Sequence, residues 1–231
     1  MVNHHGMHSH LHFYGRRKGK ALRPRAQEAL DVKLPQVQID LEQPLSFFDG
    51  GQEVWLEIGF GGGEHLAAQL KANPDTHIIG VEPFMNGVAN LLKAVDAEDL
   101  SRLHLFPDDV RLLLDKIPDG SLSKVFVLFP DPWPKKRHIP RRLLQNEFLD
   151  VLLPKLKLGG VFHVASDHPD YIIQIHELFH SRSELQKQFG PASLESPESW
   201  PKRPESWPPT RYEQKAFKQG IPCAYYEFKK V

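Results

Sequence analysis

Short apolar runs alternate along the chain with segments whose hydrophobic residues recur every three or four positions. The runs are rich in β-branched and aromatic residues, which favours strands, and the longer spacing favours helices. The predicted strands are residues 54–58, 77–82, 103–106, 124–129 and 161–166. The helices predicted after them are residues 64–73, 84–96, 110–116, 141–156 and 171–188. Five alternations of strand and helix predict a parallel sheet with helices on both faces.

The last forty residues follow a different pattern. Six of the nineteen residues from 191 to 209 are proline, and the string P-E-S-W-P occurs there twice. Proline excludes helix and central strand, so this segment is predicted to be a semi-rigid surface loop. An alternative is that Trp200 and Trp207 offer stacking surfaces to nucleic-acid bases. Residues 224–228 alternate weakly and are predicted to add a last strand.

Composition limits the class of protein. The chain has 231 residues, of which 40% are hydrophobic and 25% charged, which is typical of a globular protein and excludes a wholly disordered or fibrous one. No apolar run reaches the roughly 18 residues of a membrane span, and no signal peptide is apparent. Cys223 is the single cysteine, which excludes an internal disulfide. We therefore expect a cytoplasmic protein with no membrane association and no metal site.

Positive charge is concentrated in two places, although 29 basic and 29 acidic residues cancel overall. Residues 1–31 hold six basic and two acidic side chains, and the first twelve residues, rich in histidine, are predicted to be disordered. We expect a basic, partly disordered arm over 1–31 and a single domain over 32–231, with the Pro-rich loop at 191–209. A second basic cluster follows a Pro-rich turn and comprises Lys135, Lys136, Arg137, His138, Arg141 and Arg142.

A glycine loop follows the first predicted strand. Gly59, Gly61 and Gly63 let the backbone turn sharply and let a ligand lie against main-chain atoms. Such a loop also seats the pyrophosphate of dinucleotide cofactors, so the glycines alone do not decide the ligand. Glu57 lies just before the loop, where a carboxylate is unfavourable beside a phosphate but suits a sulfonium or amino group.

Acidic residues end the next two predicted strands. Glu82 is placed to accept hydrogen bonds from both ribose hydroxyls of an adenosine, and its alternative role is to cap the following helix. Asp108 and Asp109 are placed to meet an adenine ring, and either is equally suited to be a helix N-cap. The carboxyl ends of these strands are therefore predicted to bind an adenosine.

The fourth predicted strand ends in a turn that prolines stiffen. Pro130, Pro132 and Pro134 surround Asp131 and Trp133, so the acidic and aromatic side chains are held in fixed positions. The carboxylate of Asp131 can accept hydrogen bonds from the N1–H and amino group of guanine. The basic cluster beside it suits phosphates. The alternative is a stiff surface loop with a solvated run of charge.

These motifs together resemble the bacterial tRNA (guanine-N7)-methyltransferases, the TrmB family, over about residues 53–228. The resemblance depends on the strings E-I-G-F-G-G-G, G-V-E-P and F-P-D-P-W-P-K-K-R-H, on Ser166-Asp167, and on T-R-Y-E at 210–213. It implies a class I S-adenosylmethionine-dependent α/β fold, a three-layer sandwich around a mostly parallel seven-stranded sheet with a final antiparallel strand. It also implies methyl transfer to N7 of the variable-loop guanine of tRNA, by a monomer or homodimer. Pro134 and the His-rich leader depart from the family pattern.

The resemblance also assigns residue roles. Together with the three loop glycines, the implied cofactor contacts are Glu57, Glu82, Asp108 and Asp131. Asp131 is in addition the implied catalytic residue. The implied substrate contacts are Lys135, Asp167, Thr210, Arg211, Tyr212 and Glu213. Other functions compatible with the residues are a nicotinamide-dependent dehydrogenase, a methyltransferase acting on an exocyclic base amine, and a non-catalytic RNA-binding protein.

Overall fold

A computed structural model describes residues 15–231, and its centre is one seven-stranded sheet in the order β3-β2-β1-β4-β5-β7-β6. The strands are β1 (Glu53–Ile58), β2 (Thr76–Val81), β3 (Leu103–Phe106), β4 (Leu122–Leu128), β5 (Leu156–Ser166), β6 (Leu185–Phe189) and β7 (Ala224–Lys230). The first five strands are parallel, and β7 lies antiparallel between β5 and β6. The predicted mostly parallel sheet with a final antiparallel strand is confirmed.

Helices cover both faces of the sheet and complete three layers. They are α1 (Pro24–Val37), α2 (Glu64–Ala72), α3 (Met85–Ala94), α4 (Val110–Leu113), α5 (Asn146–Lys155), α6 (Pro169–His180) and α7 (Arg211–Lys218). Buried residues of α1, α2, α3 and α7 belong to one hydrophobic cluster, and those of α4, α5 and α6 to the other. None of the helices within residues 15–231 is long and apolar enough to cross a membrane.

The central strand β1 positions the ligand-binding edge. It pairs in parallel with β2 on one side and with β4 on the other, so Ile58 lies between Val81 and Val127. Strand order reverses at β1, because β2 and β3 lie on one side of it and β4 and β5 on the other. A crevice forms at such a switch point, here at the carboxyl ends of β1 and β4. The predicted motifs that follow β1, β2, β3 and β4 lie at this crevice or beside it, and Tyr212 of the later T-R-Y-E string reaches it as well.

Two of the predicted helices differ from those observed. The helix predicted over 141–156 begins at Asn146, because residues Lys136–Arg141 form a 3₁₀ helix that includes Pro140. The helix predicted over 171–188 ends at His180, and residues 185–189 instead form the edge strand β6 against β7. Burial alternates along β6, which is the period-two signal of a strand.

Helix α1 was not predicted from the sequence. It begins with Pro24 in its first turn, where proline fits, and it buries Ala26, Leu34 and Val37. Residue 31, the predicted end of the arm, falls inside this helix. The predicted disorder of the first twelve residues lies outside the described residues.

The Pro-rich segment is a surface loop with one short 3₁₀ turn at Pro197–Ser199. Trp207 is only 2% exposed, and its indole Nε1 donates to Glu227 at 3.2 Å. The half-buried Trp200 packs against the core and donates to the carbonyl oxygen of Ser193. Stacking of Trp207 on bases is therefore wrong, since its ring is already enclosed by protein.

A pair of histidines makes stability depend on pH. The His77 Nδ1 and His104 Nε2 atoms lie 2.9 Å apart, and the Phe47 ring stacks on His104. Burial, followed by the charge of His77, lowers the pKa of His104 from 6.5 to about 4.

Acidification should therefore destabilise the fold. Between about pH 6.5 and pH 4 the unfolded chain protonates this imidazole and the folded chain does not, so stability is present above that window and is lost as pH falls through it. We expect His104→Phe, which keeps the stacking, to remove roughly 1–2 kcal/mol of the pH dependence between pH 7 and pH 5. Urea unfolding at the two pH values measures this, and equal pH dependence in both proteins would contradict it.

Candidate active site

A cavity of about 630 Å³ lies at the carboxyl ends of β1, β2, β3 and β4. Six of the site residues that the resemblance assigns line it, namely Gly59, Gly61, Glu82, Asp108, Asp131 and Tyr212. Other residues singled out in the sequence line it too, among them Asp109, Trp133, Arg141 and Arg142. The other predicted site residues lie outside its lining, namely Glu57, Gly63, Lys135, Asp167, Thr210, Arg211 and Glu213. The structure thus brings together the acidic residues that follow β2, β3 and β4.

The glycine loop joins β1 to α2 with a left-handed backbone. Its φ angles are 71° at Gly59, 57° at Gly61 and 80° at Gly63. Gly63 is the N-cap of α2, and a Cβ there would lie 2.6 Å from the side chain of Leu91. Only glycine fits this position, because both the backbone conformation and the approach of α3 exclude a side chain.

Glu82 ties this loop to the end of β2. One carboxylate oxygen accepts from the Gly61 N–H at 2.8 Å and the other from the Phe84 N–H at 2.9 Å. Burial, opposed by these two hydrogen bonds and reinforced by the charge of Asp131, raises the pKa of Glu82. The carboxylate therefore both shapes the loop and faces the cavity.

The two aspartates after β3 have different roles. Asp109 is the N-cap of α4, where its side chain accepts from the Arg111 N–H and pairs with the Arg111 guanidinium. Asp108 lines the cavity and accepts from Arg17 at 2.6 Å. Burial alone would raise the pKa of Asp108, but the hydrogen bonds from Arg17 and the Asp109 N–H lower it. Asp109 is therefore the N-cap, and both aspartates line the cavity.

Residues 15–20, the arm segment, cross the mouth of the cavity. The Met85 N–H donates to the Arg17 carbonyl at 3.0 Å, and Asn86 exchanges hydrogen bonds with Gly19 and Lys20. Gly15 and Arg16 line the cavity. The sequence predicted this segment as part of a basic, partly disordered arm and gave no signal that it covers the site.

The turn after β4 presents Asp131 to the cavity. The Phe129 N–H still donates to the Ala165 carbonyl of β5, but the φ of Phe129 is 53°, and the chain leaves the strand there. Asp131 is an exposed residue that lines the cavity, and partial desolvation of its carboxylate by the cavity walls raises its pKa. A carboxylate held this way favours a ligand that brings positive charge or hydrogen-bond donors.

The basic cluster after this turn divides into exposed and buried members. Lys135, Lys136 and Arg137 are exposed, while Arg141 lies over the Trp133 ring at 5.3 Å. Arg142 is only 3% exposed and donates to the Pro132 carbonyl at 2.7 Å. Arg142 is therefore not part of a solvated face, and it supports the turn from a buried position in the cavity wall.

Helix α7 carries the T-R-Y-E string. Thr210 is its N-cap and accepts from the Glu213 N–H at 3.1 Å, and the Tyr212 ring packs over Gly61 at the cavity. Burial, followed by the charges of Glu82 and Asp131, raises the pKa of Tyr212. The spacing T-x-x-E is a capping signal that could have located this helix from the sequence.

Glu213 itself is buried. One carboxylate oxygen accepts from Arg203 Nε at 2.8 Å and from the Tyr225 hydroxyl at 2.7 Å, and the residue is 1% exposed. The resemblance implies that Glu213 contacts the substrate, whereas the structure buries its side chain. Neither Arg203 nor Tyr225 was singled out in the sequence, because their partner is distant along the chain.

Glu57 also lies in the core. Strand alternation turns its side chain towards α2, where the carboxylate bonds His65 Nδ1 at 2.8 Å, and both side chains are nearly inaccessible. The structure therefore places Glu57 beside the cavity wall and not on its surface, in contrast to the implied cofactor contact. Asp167, half-buried after β5, is likewise outside the lining.

The fold and the cavity are those of a methyltransferase. A family profile described as "Putative methyltransferase" matches residues 51–224, three quarters of the chain. Among solved structures, a 30S ribosomal A1408 methyltransferase from an uncultured bacterium is similar in fold, with a TM-score of 0.55 at 16% identity. The match covers 84% of this chain and 95% of that one.

Curated relatives indicate which methyltransferase family the chain belongs to. The tRNA (guanine-N(7)-)-methyltransferase of Paramagnetospirillum magneticum is 44% identical over 221 residues, which cover 92% of this chain and 90% of the relative. The relative of the same name from Jannaschia sp. is 39% identical over 100% of this chain and 99% of its own. The chain belongs to the tRNA (guanine-N7)-methyltransferase family.

The buried carboxylate of Glu213 should contribute strongly to stability. Glu213→Ala leaves Arg203 and Tyr225 without their partner, and we expect the free energy of unfolding to fall by about 3 kcal/mol. Glu64→Ala is the matched control, since Glu64 pairs with Arg211 at the surface and its loss should change stability by less than about 1 kcal/mol. Denaturant unfolding compares the two variants, and equal losses would contradict the assignment.

Proposed function

We propose that this chain transfers a methyl group from S-adenosylmethionine to N7 of the variable-loop guanine in tRNA. Membership of the family supports the reaction, and the observation that carries it is that Asp131 and Glu82 face one cavity at the carboxyl ends of β4 and β2. The dehydrogenase, exocyclic-amine and RNA-binding alternatives are not favoured by the relatives.

The residues at the cavity fit the cofactor. Each oxygen of Glu82 accepts one backbone N–H and keeps a lone pair, so the carboxylate can also accept from two ribose hydroxyls. Asp108 lies where the adenine end would be held, and the glycine loop leaves room against the main chain. S-adenosylmethionine supplies a methyl group on a positively charged sulfur. Burial raises the pKa of Glu82 and of Asp131, and the charge of Asp131 raises that of Glu82 further, so a cation between the two carboxylates is favoured.

Methylation of guanine N7 does not require the protein to remove a proton. Guanine N7 carries an in-plane lone pair in the neutral base, so no general base is required. The turn holding Asp131 supplies placement, because its carboxylate can accept from the N1–H and amino group of guanine. The same negative charge stabilises the positive charge that the purine acquires.

Exposed positive charge beside the turn suits the RNA backbone. Lys135, Lys136 and Arg137 are all exposed next to Asp131, and the basic arm segment lies across the cavity from them. We assign phosphate contacts to these residues. Asp167, Arg211 and Tyr212 remain proposed substrate contacts.

The proposed setting is the cytoplasm, where tRNA is modified. We propose that the protein acts there as a monomer or as a homodimer.

Nucleoside analysis tests the function. The protein is incubated with labelled S-adenosylmethionine and a tRNA transcript, and we expect label in 7-methylguanosine. A transcript with adenine in place of the variable-loop guanine is the control and should take up none. Label in N6-methyladenosine, or no label, would overturn the proposal.

Glu82→Ala should weaken cofactor binding. Loss of the charge-assisted hydrogen bonds is expected to reduce the affinity for S-adenosylmethionine by about 1–3 kcal/mol. Glu64→Ala, in the first turn of α2 but outside the cavity lining, is the control and should bind normally. Calorimetric titration measures both, and unchanged affinity of the Glu82 variant would contradict the assigned role.

Asp131→Asn should slow methyl transfer far more than it weakens cofactor binding. The substitution keeps the shape of the side chain but removes the charge, and we expect the single-turnover rate to fall by about 100-fold or more. A near-normal rate in this variant would show that positioning alone, and not charge, is what Asp131 provides.

The exposed basic residues should govern the salt dependence of RNA binding. Replacing Lys135, Lys136 and Arg137 by Ala is expected to weaken tRNA binding and to flatten the plot of log affinity against log salt by up to roughly 0.7 for each phosphate that these side chains neutralise. A triple Ala variant at Lys71, Lys157 and Lys229, at the opposite end of the strands, is the charge-matched control. Filter binding at several salt concentrations compares them, and equal slopes would place the RNA elsewhere.

A further inference from the structure

The turn that carries Asp131 has an unusual backbone. Within residues 15–231, the non-glycine residues with positive φ are Phe129, at 53°, and Trp133, at 43°. They lie two residues before and two residues after Asp131. A left-handed backbone is unfavourable for aromatic residues, so surrounding contacts must hold the turn in this form.

Arg142 supplies such a contact from beneath the turn. Its Nε donates to the Pro132 carbonyl oxygen at 2.7 Å, between Asp131 and Trp133. Its Nη1 donates to Gln174 Oε1 at 2.7 Å, and its guanidinium lies 4.7 Å from the centre of the Tyr171 ring. Pro132 has no N–H, so its carbonyl is the polar group through which the main chain can be held there.

The burial of Arg142 is itself unusual. The residue is 3% exposed, its hydrogen bonds go to neutral acceptors, and its Nη2 has no partner within the described part of the chain. Removing a guanidinium from water in this way opposes folding. An arginine at this position is therefore better explained by what it positions than by net stability.

The partners of Arg142 connect two loops of the site. Gln174 donates to the Leu144 carbonyl at 2.8 Å, and the Tyr171 hydroxyl accepts from the Leu144 N–H at 3.1 Å. Both partners lie on α6, which begins two residues after Asp167. Arg142 thus fastens the turn after β4 to the helix after β5.

We propose that Arg142 is a positioning residue that holds the Pro132 carbonyl and thereby fixes the carboxylate of Asp131 for the methyl-transfer step. Arg142 also lines the cavity, but its Nε and Nη1 are bonded to the turn and to α6, so we assign its effect to the turn. The kinetic consequence rests on the proposed function, whereas the rigidity of the turn does not.

Arg142→Lys tests the proposal, because one ammonium cannot reproduce the two directed contacts while lying on Tyr171. We expect the single-turnover rate at saturating tRNA and S-adenosylmethionine to fall at least tenfold, with cofactor affinity within twofold of the parent. Arg182→Lys is the matched control. Arg182 also bonds a backbone carbonyl, that of Asn146, and joins the loop after α6 to α5 outside the cavity lining. It should keep the parental rate.

A double-mutant cycle separates positioning from general destabilisation. In the Asp131→Asn background, Arg142→Lys should reduce the rate less than twofold, because the group it positions is already gone. An equal fold-loss in both backgrounds would overturn the proposal. If Arg142→Lys does not fold, Gln174→Met removes one anchor and should lower the rate three- to tenfold without changing cofactor affinity.

Hydrogen exchange measures the turn without any reaction. Mass spectrometry of the peptide over residues 127–145 should show faster deuterium uptake in Arg142→Lys than in the parent, and unchanged uptake in Arg182→Lys. Unchanged uptake in Arg142→Lys would overturn the inference. A parent chain that makes no 7-methylguanosine would overturn the proposed function alone, since the uptake result is independent of it.

Discussion

The parallel pairing of β1 with both β2 and β4 is the constraint from which the site follows. Because all three strands end at the same edge, the residues that follow them are brought together even though they are about 25 to 75 positions apart in sequence. The glycine loop continues β1, Glu82 follows β2, and the Asp131 turn continues β4. The cavity is thus a consequence of strand order, and each strand contributes one functional group to it.

The acidic residues near this edge fall into two groups with different physical roles. Glu57 and Glu213 are buried and partnered by His65, or by Arg203 and Tyr225, so their charges hold elements together. Glu82 and Asp131 face the cavity, and burial raises the pKa of each. Only the second group presents its acceptor atoms to the cavity. Because different acidic residues hold the elements together and face the cavity, one edge of the sheet can be rigid and still bind a ligand.

Much of the fold could be predicted from the sequence, because its central strands and their helices have strong periodicity and clear glycine and proline boundaries. The edge strand β6 was missed because its five residues follow a helical pattern without a strong break, and its partner β7 is distant in sequence. Helix α1 was missed because its charged surface hides a narrow apolar face. Long-range contacts decided both cases, namely strand pairing for β6 and helix packing for α1, and local patterns do not encode either.

The sequence predicted those site residues that directly follow a predicted strand. Glu82, Asp108 and Asp131 follow predicted strands and do line the cavity. Glu57 precedes the end of its strand, so alternation turned it towards α2, and Glu213 found buried partners that only the tertiary structure brings near. The sequence predicted the arm segment as part of a partly disordered arm and Arg142 as one member of a basic cluster. The structure places the arm segment at the cavity mouth and Arg142 beneath the turn.

The most direct test of this account is a crystal structure of the protein with S-adenosylhomocysteine, the demethylated form of the proposed cofactor. We expect both ribose hydroxyls within hydrogen-bond distance of Glu82, the adenine beside Asp108, and the sulfur turned towards Asp131. Binding outside the cavity, or with the ribose away from Glu82, would contradict the assignment of this edge of the sheet as the active site.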